Sequence, residues 1–250
     1  MRITLIFLFL LSIVTVPLAF AEEMDCSMCH PQKTSGKSLH AAVLNGCKFC
    51  HIGVDASDIP HKFNTSLPYG LTIGQEKLCF SCHEAGEMTN GTSVHSLVKS
   101  GMCTTCHDPH SSAYPKLLKA DNICYTCHNR SDFMAKGSVH MPVAANMCTS
   151  CHNPHTGEKE KLLRNIAPEL CFDCHDRKTY SGFDKHAAVS FGMCLSCHDP
   201  HRSEYASLAR SMVPDLCFIC HDSGEVESVK THQSLQAGKN CSACHSPHLG

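Results

Sequence analysis

Apolar residues are dense at the start of the chain and scattered thereafter. Ile3 to Val16 form a mostly apolar run behind Arg2, and Ala19-Phe20-Ala21 follows as an A-x-A site. This order predicts a secretory signal peptide, residues 1–21, removed before Glu22. A retained anchor is the competing reading, and the apolar run is shorter than a comfortable membrane span. Downstream no stretch is long and apolar enough to span a bilayer, and no set of alternating segments suggests a barrel. The apolar residues there recur with a long period instead. Leu78, Ile123, Leu170 and Leu216 each precede a cysteine that is followed by Phe80, Tyr125, Phe172 or Phe218. In A-P-E-L-C (167–171) and V-P-D-L-C (213–217), proline and an acid fit a first helical turn. The segments YPKLL (114–118), KEKLL (159–163) and YASLA (205–209) predict one further turn of helix between repeats. Short helices and loops are the expectation throughout.

Composition explains why nothing larger is expected. The chain has 250 residues with 20 cysteines, 20 histidines, no tryptophan and 6% aromatic residues, and its 42% apolar fraction counts the cysteines. Few large side chains remain to build a core. The formal charge of −2 includes Arg2, so the mature chain stands near −3, and no basic patch suits nucleic acid.

An exported chain so rich in cysteine would first suggest disulfides. The spacing points elsewhere. Ten C-x-x-C-H motifs use every cysteine: Cys26/Cys29/His30, Cys47/Cys50/His51, Cys79/Cys82/His83, Cys103/Cys106/His107 and Cys124/Cys127/His128, then Cys148/Cys151/His152, Cys171/Cys174/His175, Cys194/Cys197/His198, Cys217/Cys220/His221 and Cys241/Cys244/His245. Zinc sites also use C-x-x-C pairs but have no need of histidine after every second cysteine. C-x-x-C-H is the attachment motif of c-type haem. On one helical turn residues i, i+3 and i+4 share a face. Two thiols placed so can form thioethers to the vinyl groups of one porphyrin while the next histidine reaches the iron. A covalent tether replaces the deep apolar pocket that this chain cannot build.

From Cys79 the motifs fall into doublets beginning at Cys79, Cys124, Cys171 and Cys217, with a period of 45 to 47 residues. Each second motif is followed by Pro-His, at His110, His155, His201 and His248. Each doublet also has a histidine eight or nine residues ahead of its second motif: His95, His140, His186 and His232. The first doublet is a stretched copy, with His40 seven residues ahead of Cys47 and Pro60-His61 displaced by a seven-residue insertion. Five doublets (26–61, 79–110, 124–155, 171–201, 217–248) therefore cover the mature chain, residues 22–250.

Ten histidines belong to motifs and ten do not, so the expectation is ten haems, each with a second imidazole. Met102, Met147 and Met193 each abut the first cysteine of their own motif and are read as packing residues rather than ligands. His107 and His110 are too close in sequence to straddle one ring. His110 is therefore expected at another haem, the one attached at Cys79 or at Cys124. Iron with two protein imidazoles has no open position for substrate, which favours low-potential electron transfer over catalysis.

The doubled C-x-x-C-H pattern with its leading L-C and trailing Pro-His resembles the paired-motif multihaem c-type cytochromes. Ten copies resemble the decahaem periplasmic cytochromes of metal-reducing and iron-oxidising bacteria. That resemblance implies ten haem c groups with iron, other redox proteins as partners, and docking into an outer-membrane porin with an outer-surface cytochrome beyond it. It also implies a periplasmic or extracellular location. About 23 residues per haem leave no room for a separate core. The expected fold is an extended array of short α-helices and loops with haems as its core and little or no β-sheet. The competing functions are a reductase of nitrite or a similar small oxyanion, with an open iron near His61, and a self-stacking filament.

Overall fold

The computed structural model describes residues 25–180, 186–232 and 240–249, so the signal-peptide segment 1–21 lies outside the described residues. Short helices, isolated 3-10 turns and four two-stranded pairings account for its regular structure. No helix of the described residues is long and apolar enough to cross a membrane.

Every motif is one turn of helix. The histidine N–H donates to the carbonyl of the first cysteine in all ten, from 2.9 Å at His30 to 3.1 Å at His221. This i to i+4 bond gathers the two thiols and the imidazole onto one face. The two proline-acid segments fold as expected: helices Glu169–Phe172 and Asp215–Phe218 begin directly after Pro168 and Pro214.

The segments YPKLL, KEKLL and YASLA depart from expectation. Each makes a tight turn, but through the left-handed region: Lys116 and Leu117 have φ of 55° and 58°, Lys161 and Leu162 57° and 59°, Ser207 and Leu208 56° and 58°. Two successive positive φ angles closed by a bond such as Leu118 N–H to the Pro115 carbonyl (3.2 Å) define a reversed turn rather than a turn of helix. Leucine and lysine favour helix locally. The fold-back overrides them, because His107 pairs with Leu118, His152 with Leu163 and His198 with Ala209 in antiparallel bridges.

The eight strands among the described residues are two residues each: β1 (Ser38–Leu39), β2 (Val54–Asp55), β3 (Lys62–Phe63), β4 (Ser93–Val94), β5 (Ser111–Ser112), β6 (Ser138–Val139), β7 (Thr156–Gly157) and β8 (Arg202–Ser203). All pairings are antiparallel: β1 with β5, β4 with β7, and β6 with β8 each join the middle of one doublet to the segment after Pro-His in the next. His40, His95 and His140 extend these clasps by donating their N–H to the carbonyls of His110, His155 and His201, each at 2.9 Å. The first four doublets are thus linked by backbone, each to its neighbour, as in a solenoid. In the first doublet β3 pairs instead with β2, which the seven-residue insertion supplies. The insertion therefore ends the row of clasps at the N-terminal side.

No apolar side chain is buried among the described residues, and the buried polar side chains are Ser111, Ser112 and Ser203 at 8% exposure. Polypeptide packing alone does not hold this shape. Close backbone approach at the clasps does constrain sequence: a Cβ on Gly36 would lie 2.5 Å from the Ser112 nitrogen, and one on Gly91 2.6 Å from the Gly157 carbonyl oxygen. Gly36→Ala is expected to destabilise the haem-loaded protein by about 2 kcal/mol, the scale of overpacking. Thermal unfolding of the variant beside Gly74→Ala, where a Cβ meets nothing, measures it.

A candidate multihaem site

The twenty histidines form ten pairs, each of one motif histidine and one histidine from outside the motifs. His30 meets His61 with ring centroids 6.1 Å apart, His51 meets His110 at 5.8 Å, and His83 meets His40 at 6.1 Å. His107 pairs with His155 (5.9 Å), His128 with His95 (6.4 Å), His152 with His201 (6.0 Å) and His175 with His140 (6.2 Å). His198 with His248 (5.7 Å), His221 with His186 (6.0 Å) and His245 with His232 (6.0 Å) complete the set.

One pairing differs from the expectation. His110 faces His51 at the Cys47 motif, not the motifs at Cys79 or Cys124. The cause is the clasp: β5 directly follows His110 and runs back along β1 of the preceding doublet. The same backward reach recurs at every later Pro-His, with a clasp beside it at His155 and His201. His155, His201 and His248 reach back to His107, His152 and His198, while His40, His95, His140 and His186 reach forward to the first motif of the next doublet. His61 and His232 instead meet motifs of their own doublets.

The rings suit a shared metal. The His51 and His110 centroids are 5.8 Å apart and their Nε2 atoms 3.5 Å apart, so the rings meet nitrogen to nitrogen rather than face to face. Two metal–imidazole bonds of about 2 Å each call for about 4 Å between those nitrogens. The Nδ1 atoms of His40, His51, His61, His107, His140, His152, His198 and His232 all lie 2.8 to 3.0 Å from backbone carbonyls. A carbonyl only accepts, so in these rings Nδ1 carries the proton and Nε2 offers its lone pair inward. His95 differs: the Leu97 N–H approaches its Nδ1, at a long 3.3 Å. Burial is the main force that pushes the His110, His155, His201 and His248 imidazoles below their usual range, which keeps them neutral and able to ligate.

The reversed turns now acquire a purpose. The carbonyls that orient His51, His107, His152 and His198 belong to Tyr69, Lys116, Lys161 and Ser207, each with φ between 55° and 61°. Left-handed backbone at a non-glycine residue stores about 1–2 kcal/mol, and here it aims an oxygen at a ligand-type ring. Sequence reasoning missed these residues because the contact is made by backbone. The available signal was spacing, since Lys116, Lys161 and Ser207 each lie nine residues beyond their histidine. It also missed Phe133 and Tyr180, five residues beyond His128 and His175. Phe133 stands edge-on to His201 at 5.4 Å, and Tyr180 touches both His175 and His248. Met102, Met147 and Met193 lie at the start of their motif turns and are about half exposed.

The cysteine positions give the order of the motifs in space. Within each doublet the two first cysteines stand beside each other: Cys47 by Cys26, Cys79 by Cys103, Cys124 by Cys148, Cys171 by Cys194 and Cys217 by Cys241. Between doublets the second cysteines stand near each other: Cys50 by Cys82, Cys106 by Cys127, Cys151 by Cys174 and Cys197 by Cys220. The ten motifs therefore follow one another in chain order. Burial, then the neighbouring thiol, pushes Cys79 and Cys171 up to about 11. Such thiols stay protonated at neutral pH and are poor at thiol–disulfide exchange.

Exposure follows no order along the row: Cys47, Cys82, Cys127, Cys174 and Cys220 are exposed, and so are Cys29 and Cys244 in the first and last motifs. Local geometry still keeps each in its motif turn, because the His30 N–H reaches the Cys26 carbonyl and the His245 N–H the Cys241 carbonyl, both at 2.9 Å.

Comparison with known families matches three segments, 95–133, 140–180 and 186–226, to the doubled CXXCH motif. They cover just under half of the chain. Each begins at a mid-doublet histidine (His95, His140, His186) and takes in a second motif and the first motif of the next doublet. In that phase His95, His140 and His186 meet the final motif of their own segment, at His128, His175 and His221. No curated protein matches the chain. The paired motifs indicate a multihaem c-type cytochrome in electron transfer, with covalently bound haem c and its iron.

Because the orienting contact comes from backbone, Lys161→Gly is expected to leave stability within about 1 kcal/mol. Lys161→Pro, whose ring fixes φ near −65°, is expected to cost roughly 3 kcal/mol or more and to loosen His152. Denaturant unfolding and ferric absorption spectra, with a high-spin band in the proline variant alone, check both.

Proposed function

We propose that the chain is a decahaem electron carrier in which all ten irons have two histidine ligands. Haems tethered by Cys26/Cys29, Cys47/Cys50, Cys79/Cys82, Cys103/Cys106, Cys124/Cys127, Cys148/Cys151, Cys171/Cys174, Cys194/Cys197, Cys217/Cys220 and Cys241/Cys244 would be ligated by the ten histidine pairs described above. The observation that carries this reading is the complete one-to-one matching of motif and non-motif histidines. Bound haem supplies the one-electron couple. The chain's residues would supply two imidazoles to each iron, fix the imidazole tautomers through carbonyls, and keep neighbouring haems in sequence order, so that electrons would have one line to follow.

The matching also bears on the alternatives. An oxyanion reductase needs an iron without a second protein ligand, and the irregular first doublet still gives His30 and His51 partners in His61 and His110. A filament grown by repeated clasps needs a free strand at each end, and β2 covers β3 at the N-terminal side. Export through residues 1–21 would deliver the carrier to the periplasm or cell exterior. Its partners there would be other redox proteins, including a porin-bound conduit and an outer-surface cytochrome.

Intact mass of the mature protein tests the count: ten haem additions to a chain starting at Glu22 are expected. Ferric EPR tests the ligation. The imidazole planes are within 25° of parallel in the His40/His83, His51/His110, His140/His175, His152/His201 and His198/His248 pairs, and at 71° in His95/His128 and His232/His245. Near-parallel rings give rhombic low-spin signals and steep ones give strongly axial signals, so both classes are expected, without a high-spin component. Several high-spin haems would overturn the reading. In His110→Ala one haem should become high-spin, and peptide mapping of an iron-bound ligand probe should locate it at Cys47/Cys50 rather than Cys103/Cys106.

A further inference from the structure

Asp108, Asn153, Asp199 and Ser246 occupy one position in four repeats, two residues ahead of His110, His155, His201 and His248. In three of them a side-chain oxygen accepts the N–H of that histidine, at 2.9 Å from Asp108, 3.1 Å from Asn153 and 2.9 Å from Asp199. Asp and Asn build this turn equally well, so it does not require the charge. What the charge changes is the neighbouring imidazole. Asp108 Oδ1 lies 3.3 Å from His110 Nδ1, and His110 is the one histidine among the described residues in contact with a carboxylate. That Nδ1 is buried and has no well-aligned hydrogen-bond partner, whereas eight other rings satisfy theirs on neutral carbonyls. Asp199 is engaged differently: its Oδ1 also accepts the Arg202 N–H at 3.2 Å, and Arg210 stands near it.

We propose that Asp108 sets a haem potential: its carboxylate, facing His110, holds the haem of the His51/His110 pair at a lower reduction potential than the equivalent haems of His107/His155 and His198/His248, where Asn153 and Ser246 are neutral. The inference rests on the bis-histidine reading above. Ferric haem carries one more positive charge than ferrous haem, so a fixed anion beside its ligand favours the oxidised form. A carboxylate facing Nδ1–H also strengthens the imidazole as a donor. Lys33, contributed by the first doublet, opposes this charge in part. The side chains of His110 and Asp108 are 27% and 34% exposed, so solvent weakens the effect without removing it. An electron moving along the motif order would meet a less favourable stop at the second motif, between the first doublet and the rest.

The test is a pair of reciprocal changes in the haem-loaded protein, Asp108→Asn and Asn153→Asp, followed by spectroelectrochemical titration with EPR at set potentials. Asp108→Asn should move one of ten redox components upward, and Asn153→Asp should move a different one downward, with haem mass and low-spin spectra unchanged. Titrations that superimpose on the parent would overturn the proposal. A change in haem content or spin with the remaining potentials unmoved would overturn it too, since Asp108 would then be a turn residue only. Failure of the bis-histidine reading shows separately, as high-spin iron in the parent protein.

Discussion

The arrangement depends on imidazole rings held nitrogen to nitrogen across a gap the width of two metal–ligand bonds. His51 and His110 show it most directly, with Nε2 atoms 3.5 Å apart in nearly coplanar rings. Without an iron between them, two neutral imidazoles in this attitude present lone pair to lone pair and gain nothing. The surrounding backbone nevertheless supports the attitude, by aiming carbonyls at Nδ1 in eight rings and by clasping the first four doublets together. Side-chain packing supplies little of that support, because no apolar side chain of the described residues is buried.

Two devices convert a repetitive sequence into an ordered line. The clasp uses backbone bonds between short strands, and so tolerates change in most side chains while demanding glycine where chains approach closely, as at Gly36 and Gly91. The reversed turn uses strained backbone to place a carbonyl, as at Lys116 and Lys161. Strain at a non-glycine position persists only where the neighbouring structure enforces it, and here the antiparallel bridges at His107 and His152 do so. Two histidines serve motifs of their own doublets, His61 behind the insertion and His232 in the last doublet.

Repetition of protein geometry does not make the ten sites alike. Imidazole planes run from 9° to 71° apart, and charges near the ligand-type histidines differ from repeat to repeat. Aromatic neighbours vary as well, with Phe133 against His201 and Tyr180 between His175 and His248. Such differences lie in second contacts rather than in the ligand set, and those contacts tune a metal site once its ligands are fixed.

The motif turns were legible in the sequence because a three-residue spacing is a local property: one helical turn places Cys79, Cys82 and His83 together wherever the chain runs. Legible too were the doublet period, the shortage of core-forming residues and the class of short helices and loops. The partner of each non-motif histidine was not. His110 follows His107 by three residues yet meets His51, fifty-nine residues away, because β5 pairs with β1. The reversed turns were hidden for a related reason, since Lys161 and Leu162 favour helix by themselves and are held left-handed by the bridge between His152 and Leu163. Residue types and local spacing fixed what each motif is. Which motif His40, His95 and His140, and His110, His155 and His201, serve was decided by backbone pairing between doublets, a long-range contact that no local spacing encodes.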